Sequence, residues 1–224
     1  MLLIQSRMDS LTAEITRKKR DSADWIDELI DIVLVYADEI RNAIQEAVQS
    51  LYEEQYYGVW YSNSAQPLSA PELWQGLHDK LSGENFFERI EELLNPETIL
   101  IADSKGLADV TRQINALVGN EGERATNAAR QQAGIDAEDV ADVIATKTWD
   151  ATLDERTRDT HWLLHSQTVG INDWFQTING RTQRPGEFRV PEEDINCRCR
   201  LIVRLHGDYP ELVADSYDEW VANA

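Results

Sequence analysis

Apolar side chains recur every three or four positions through most of this chain, and only near its C-terminal end does the spacing change. The most regular stretch runs from Ser22 to about Glu54. There Ile26, Ile30, Val33, Ala37, Ile40, Ile44, Ala47 and Leu51 step alternately by four and three, the a/d seam of a heptad pattern. Ser22 suits the cap of this helix, and Asp24 and Asp27 suit its positive end. A helix over 22–54 would be a rod of about 45–50 Å, with Leu29, Leu34 and Val48 widening the stripe. Two readings stay open: a core helix of this chain, or a helix that zips to a copy of itself or to a partner.

The positions that follow read as short helices and breaks. Gly58 to Pro71 has the Ser, Asn and Pro content of a loop, and a helix from Ser69 to about Leu81 closes at Gly83. Amphipathic pieces are predicted over Phe86–Leu94, Thr98–Leu117 with a break at Gly106, Glu121–Gln132, and Asp136–Thr146. After Thr146 the texture shifts. A helix is predicted from about Leu153 to His165, then a polar stretch with Gly170, Gly180, Pro185 and Gly186, then the β-branched run Leu201-Ile202-Val203. The fold class expected is mostly α with a small α+β C-terminal module of helix, long loop or hairpin, and strand. The expected division is a helical region at 1–146, the module at 147–205 and an acidic tail at 206–224.

Charge narrows the picture. The 224 residues carry 41 Asp and Glu against 21 Lys and Arg, a net charge of −20. Such a surface repels phosphate backbones and anionic membranes, so direct nucleic-acid binding is not expected. Arg17-Lys18-Lys19-Arg20 is the one basic run, and Asp21 follows it at once. Lysine stands only at positions 18, 19, 80, 105 and 147, and scarce lysine with abundant carboxylate fits a protein working in concentrated salt. The start of the chain lacks the apolar core of a leader, and no run reaches the length of a membrane span. Two cysteines two residues apart do not make an oxidised framework, so assembly in a cytoplasm is expected.

Within the module stands Trp149-Asp150-Ala151-Thr152-Leu153-Asp154-Glu155-Arg156-Thr157-Arg158-Asp159-Thr160-His161. Some thirty residues on come Arg184-Pro185-Gly186-Glu187-Phe188, then Pro191, then Asn196-Cys197-Arg198-Cys199-Arg200. This order and separation resemble the phage Mu F-like minor head (head morphogenesis) family. Its domain joins a tryptophan-led Asp-x-Arg-x-Arg-x-x-His segment to a distal Pro-Gly turn and an Asn-Cys-Arg-Cys end. The positions that match are Trp149, Asp154, Arg156, Arg158, His161, Pro185, Gly186, Pro191, Asn196, Cys197, Arg198 and Cys199. Where the family often has a Leu-Asp-Gly-like turn, this chain has Leu164-His165-Ser166. The resemblance implies a minor protein of the virion head, associated with the portal protein, the major capsid protein or both. It implies a role in head assembly and genome packaging or delivery, and neither enzymatic activity nor a cofactor.

Read from physics alone, a helix over 153–165 would put Asp154, Arg158, His161 and His165 on one face, with Asp154 and Arg158 as an i,i+4 ion pair. Arg156 would point elsewhere, free to hold a carboxylate or loop carbonyls. His161-Trp162-Leu163-Leu164-His165 is not a zinc-protease helix, because Trp162 stands where the general base belongs. A Cys197–Cys199 disulfide would close a very small, strained ring, which leaves two favoured alternatives for the thiols. Zinc could sit among His161, His165, Cys197 and Cys199, although zinc-binding cysteine pairs are usually spaced more widely. Otherwise the cysteines are reduced core residues and His161 bonds the main chain. Arg198 and Arg200 would share the strand face opposite the cysteines and meet carboxylates.

The competing function classes are a metal-dependent enzyme or toxin-like effector, and a coiled-coil adaptor built on 22–54. An effector should carry a further catalytic segment, whereas the positions after Leu205 read as an acidic tail.

Overall fold

The computed structural model describes residues 2–21, 25–65, 86–102, 104–140, 143–209, 214, 216, 218, 219 and 222. The expected cap at Ser22, the side chain of Ile26, the helix over 69–81 and most of the acidic tail lie outside the residues so described. The fold is mostly α with a small antiparallel β module toward the C-terminal end. The chain divides into two compact units, 1–49 with 75–121 and 50–74 with 122–224.

The first unit is helical. It contains α1 (Leu2–Asp21), the N-terminal portion of α2 (Trp25–Ser62), α3 (Phe86–Leu93), α4 (Pro96–Ile101) and the N-terminal portion of α5 (Ser104–Val140). Met8, Leu11 and Ile15 of α1 and Leu107, Val110, Ile114 and Val118 of α5 recur at three and four residues, and all are buried. Asn95 caps α4 by accepting the Glu97 N–H at 2.8 Å, and Pro96 occupies the first helical position, where no N–H is required. Arg41 joins Glu91 of α3 at 3.2 Å.

The heptad pattern of α2 is only partly realised. Val33, Ile40 and Ile44 are fully buried, but Ala47 is exposed, and Leu34, expected to widen the stripe, is 49% exposed. Beyond Ile44 the buried positions are Val48, Tyr52, Tyr56, Val59 and Trp60, a stripe that advances mainly in steps of four and so leaves the alternating four-three seam. The helix also runs through Gly58 to Ser62, where a loop was expected. Aromatic burial of Tyr56 and Trp60 outweighs the modest helix penalty of one glycine.

The second unit holds the rest of α2 and α5 together with β1 (Val143–Asp150), α6 (Asp159–Leu164), β2 (Thr168–Gly170), β3 (Phe175–Thr177), β4 (Gly180–Thr182), α7 (Pro191–Asp194) and β5 (Arg200–Gly207). The sheet order is β2-β1-β5, antiparallel throughout, and β3 and β4 form a separate hairpin. Ala145, Lys147 and Trp149 of β1 lie opposite Leu205, Val203 and Leu201 of β5, and this shared face is buried. Gly134 of α5 permits close approach to that face, since a Cβ there would sit 2.6 Å from Ile171 Cδ1 and 3.0 Å from Val203 Cγ1.

Three expectations are corrected by this architecture. The segments expected over 98–117, 121–132 and 136–146 fall mainly within a single helix, α5, which ends at Val140. Residues 143–146 are strand, so helix gives way to sheet before position 147. The helix expected over 153–165 is confined to 159–164, because Asp154 Oδ1 takes the Arg156 N–H at 3.0 Å and Thr157 bonds the Thr152 carbonyl, which fixes residues 152–157 as turns. No helix among the described residues is long and apolar enough to cross a membrane.

Candidate functional site

The centre of the module is His161, 1% exposed, on the short helix α6. The Trp149 ring meets it edge-on at 5.4 Å, and Phe188 stacks on it at 6.0 Å with 19° between planes. Trp149 is fixed by the backbone around it: its main-chain N–H bonds the Gln167 carbonyl at 3.0 Å and its carbonyl takes the Ser166 N–H at 2.8 Å. Phe175 packs against its ring at 5.1 Å. Four rings thus enclose one another inside the module.

Both nitrogens of His161 face polar neighbours. Nδ1 lies 3.3 Å from Cys199 Sγ and 3.8 Å from Cys197 Sγ. Nε2 lies 2.9 Å from Glu193 Oε2, with the oxygen off the axis of the ring N–H. Glu193 is itself buried on α7, where Thr160 Oγ1 donates to it at 2.8 Å and Asn179 Nδ2 at 2.7 Å. Helix α7 aims this carboxylate inward. Pro191 opens it, and Asp194 on its last turn accepts the N–H groups of Phe188 and Val190 at 2.8 and 3.2 Å. Left-handed residues, Arg189 at φ 61° and Asn196 at φ 57°, turn the chain on either side.

The two thiols form a pair. The neighbouring Cys199 and then burial push the Cys197 thiol up, and the same proximity holds Cys199 down against its own burial. Cys197 therefore keeps its proton while Cys199 is the more acidic.

Around this centre the charged motif residues act as ties. Asp154 does not pair with Arg158; instead it grips Arg198 through two bonds of 2.7 Å. That guanidinium holds the Asp154 carboxyl well below the usual carboxylate range. Arg158 donates to the Ile195 carbonyl, and Thr152 Oγ1 to the Arg198 carbonyl at 3.0 Å. Turn 152–157 and the run 195–198 are thereby laced together. Arg156 is exposed, and Arg200 lies 3.7 Å from Glu123 of α5. Pro185 and Gly186 are buried, with Gly186 at φ 83° where a Cβ would come within 3.1 Å of Arg124.

The structure brings His161, Cys197 and Cys199 together and leaves His165 outside: its Nδ1 accepts the Ala151 N–H at 3.2 Å. Glu193, Asn179 and Thr160 were not foreseen. Nothing in Pro191-Glu192-Glu193-Asp194 distinguishes the inward acid from its neighbours, and Asn179 reaches it only through the β3–β4 hairpin.

The family described as phage Mu protein F like protein matches residues 72–202, which include the whole cluster. The chain is 28% identical over 235 residues to the NAD(+)–arginine ADP-ribosyltransferase EFV of Enterococcus faecalis, covering 88% of this chain and 48% of that protein. It is 36% identical over 67 residues to the minor head protein GP7 of Bacillus phage SPP1, covering 30% of this chain and 22% of that protein. The chain thus spans about half the length, or less, of these relatives. No solved structure matches it. With more than half its length matched, and with the tryptophan, histidine and paired cysteines gathered in one core, the chain belongs to the phage Mu protein F-like family.

Proposed function

We propose that this chain is a minor structural protein of a tailed-phage head, assembled in the host cytoplasm and carried in the virion. It sits at the portal or the inner capsid and serves head assembly and genome packaging or delivery. The observation that carries this reading is membership of the Mu F-like family together with the likeness to a minor head protein. The module's interior supports it, because the side chains able to do chemistry are spent on holding the fold: His161 and both thiols are buried. Its surface offers apolar contacts suited to protein partners, with Leu163 76% and Ile178 92% exposed. A net charge of −20 favours protein partners over direct contact with DNA. Quantitative composition of purified virions and proheads tests the reading. The protein should be present at far lower copy than the major capsid protein, and absence from both particles would reject it.

The likeness to an ADP-ribosyltransferase favours a second reading, in which the chain belongs to an effector. About half of that relative lies outside the match, and the non-enzymatic reading is the better supported. Transfer of label from NAD(+) to arginine-bearing protein by the purified chain would decide for the enzyme.

A further inference from the structure

We propose that His161, Cys197 and Cys199 bind one zinc ion, with Glu193 fixing the histidine from behind. The three donor atoms all lie within 4.8 Å of one another, and all three residues are buried. A tetrahedral ion with sulfur at about 2.3 Å and nitrogen at about 2.0–2.1 Å would set nitrogen and sulfur about 3.6 Å apart. The observed separations, 3.3 and 3.8 Å, fall on either side of that value. Both histidine–sulfur separations are therefore already close to those the ion requires.

Orientation adds a second line of argument. The imidazole turns Nδ1 to the sulfurs and brings Nε2 within 2.9 Å of the Glu193 carboxylate, off the N–H axis but within reach of the hydrogen bond by which carboxylates set the tautomer of metal-binding histidines. Glu193 is 1% exposed, and a buried carboxylate is costly unless positive charge or hydrogen bonds offset it. Thr160 and Asn179 supply hydrogen bonds to it. In an extended chain, residues two apart point the same way, so Cys197 and Cys199 can reach one ion despite their close spacing. Thiolate and imidazole donors select zinc over magnesium or calcium. On binding, each thiol releases its proton to solvent, and the two thiolates neutralise the ion. The cluster offers three protein donors among the described residues. His165 is not a ligand, because its Nδ1 already accepts a main-chain N–H. The ion would clamp α6 to the run before β5 across 36 residues of chain.

Metal analysis of the full chain, freshly purified under reducing conditions without chelator, should give about one zinc per chain. After removal of zinc, added Co²⁺ should produce thiolate charge-transfer absorption and the visible bands of a tetrahedral site. His165→Ala should leave both unchanged. Cys199→Ser should abolish the charge-transfer band, with circular dichroism reporting whether the variant is folded. Glu193→Gln should still bind zinc at saturation, but about 10–100-fold more weakly. Folded wild-type protein with no zinc and no cobalt–thiolate absorption would overturn the site, as would a Cys197–Cys199 disulfide in the fresh preparation. Unchanged affinity in Glu193→Gln would remove the role given to the carboxylate.

Discussion

Asn127 and Asn63 hold the open edge of β5, four residues apart along the strand. Asn127 donates to the Cys199 carbonyl at 3.0 Å and accepts the Leu201 N–H at 2.9 Å. Asn63 donates to the Val203 carbonyl at 3.2 Å and accepts the Leu205 N–H at 3.1 Å. Each carboxamide offers the donor and acceptor that a neighbouring strand would have supplied. Arg130 completes the row at the Leu201 carbonyl, 2.9 Å away. On the outer side of this last strand the Leu201 and Leu205 N–H groups and the Leu201 and Val203 carbonyls are thus paired without another strand.

Asn127→Ala should therefore cost more than the loss of one side chain. It leaves a buried N–H and a buried carbonyl unpaired, and a destabilisation of roughly 2–4 kcal/mol is expected. Asn63→Ala, at a half-buried site, should cost less. Urea titration of both variants checks the order, and a smaller effect at Asn127 would show that water replaces its carboxamide.

Two glycines of α5 should respond in opposite directions to alanine. A Cβ added at Gly119 would meet nothing within 4 Å, so Gly119→Ala should stabilise by up to about 1 kcal/mol through helix propensity. Gly134→Ala gains the same propensity but drives its methyl into Ile171 and Val203, so a net loss of about 1–3 kcal/mol is expected. Melting curves of the two variants give the signs directly.

Lys147 is fully buried in β1, and its Nζ has no hydrogen-bond partner among the described residues. Burial first, then the charge of Arg184, pushes its ammonium down to about 8, with Asp173 acting the other way. A base whose folded pKa is depressed disfavours folding while it is charged, so stability should rise as pH climbs from about 8 toward the unfolded value near 10.5. Lys147→Met should remove that rise and stabilise the protein at neutral pH by about 1–3 kcal/mol. Stability measured at pH 7 and pH 10 in both proteins tests this, and a parallel pH response would refute it.

Lys147 also explains why β1 was hidden in the sequence. Its inward positions are Val143, Ala145, Lys147 and Trp149, and a lysine in the third place destroys the apolar alternation that marks a strand. With exposed Ile144 beside Val143, the same residues imitate the face of a helix. The turn at 152–157 was illegible for a related reason: Asp154 and Thr157 spend their side chains on local backbone, which spacing rules do not register. By contrast β5 was legible, because the β-branched run Leu201-Ile202-Val203 follows a polar, glycine-bearing stretch. The meeting of His161 with both cysteines could be read from family order, whereas Glu193 owes its place entirely to tertiary packing.

The acidic, lysine-poor composition leads to an expectation about salt. Screening should relieve repulsion among the 41 carboxylates, so the melting temperature should rise from low to molar potassium chloride. A flat or falling response would separate this protein from those built for concentrated salt.

The ladder between β1 and β5 begins with Val143 opposite Gly207 and ends with Asp150 opposite Arg200, so residues 151–199 leave and return at the same end. Tension applied through the flanking chain would act on the Val143–Gly207 end and separate the rungs one after another, as a zipper opens, instead of shearing them all at once. Such a ladder yields at low force. Within the loop that hangs from the closed end, Thr168–Gly170 would take load as their partners Thr146–Thr148 peel away, whereas His161, Glu193 and the two thiols lie beyond the last rung, beside Trp149. Pulled through a narrow passage by its flanks, the module would surrender its sheet first and its histidine–thiol knot last.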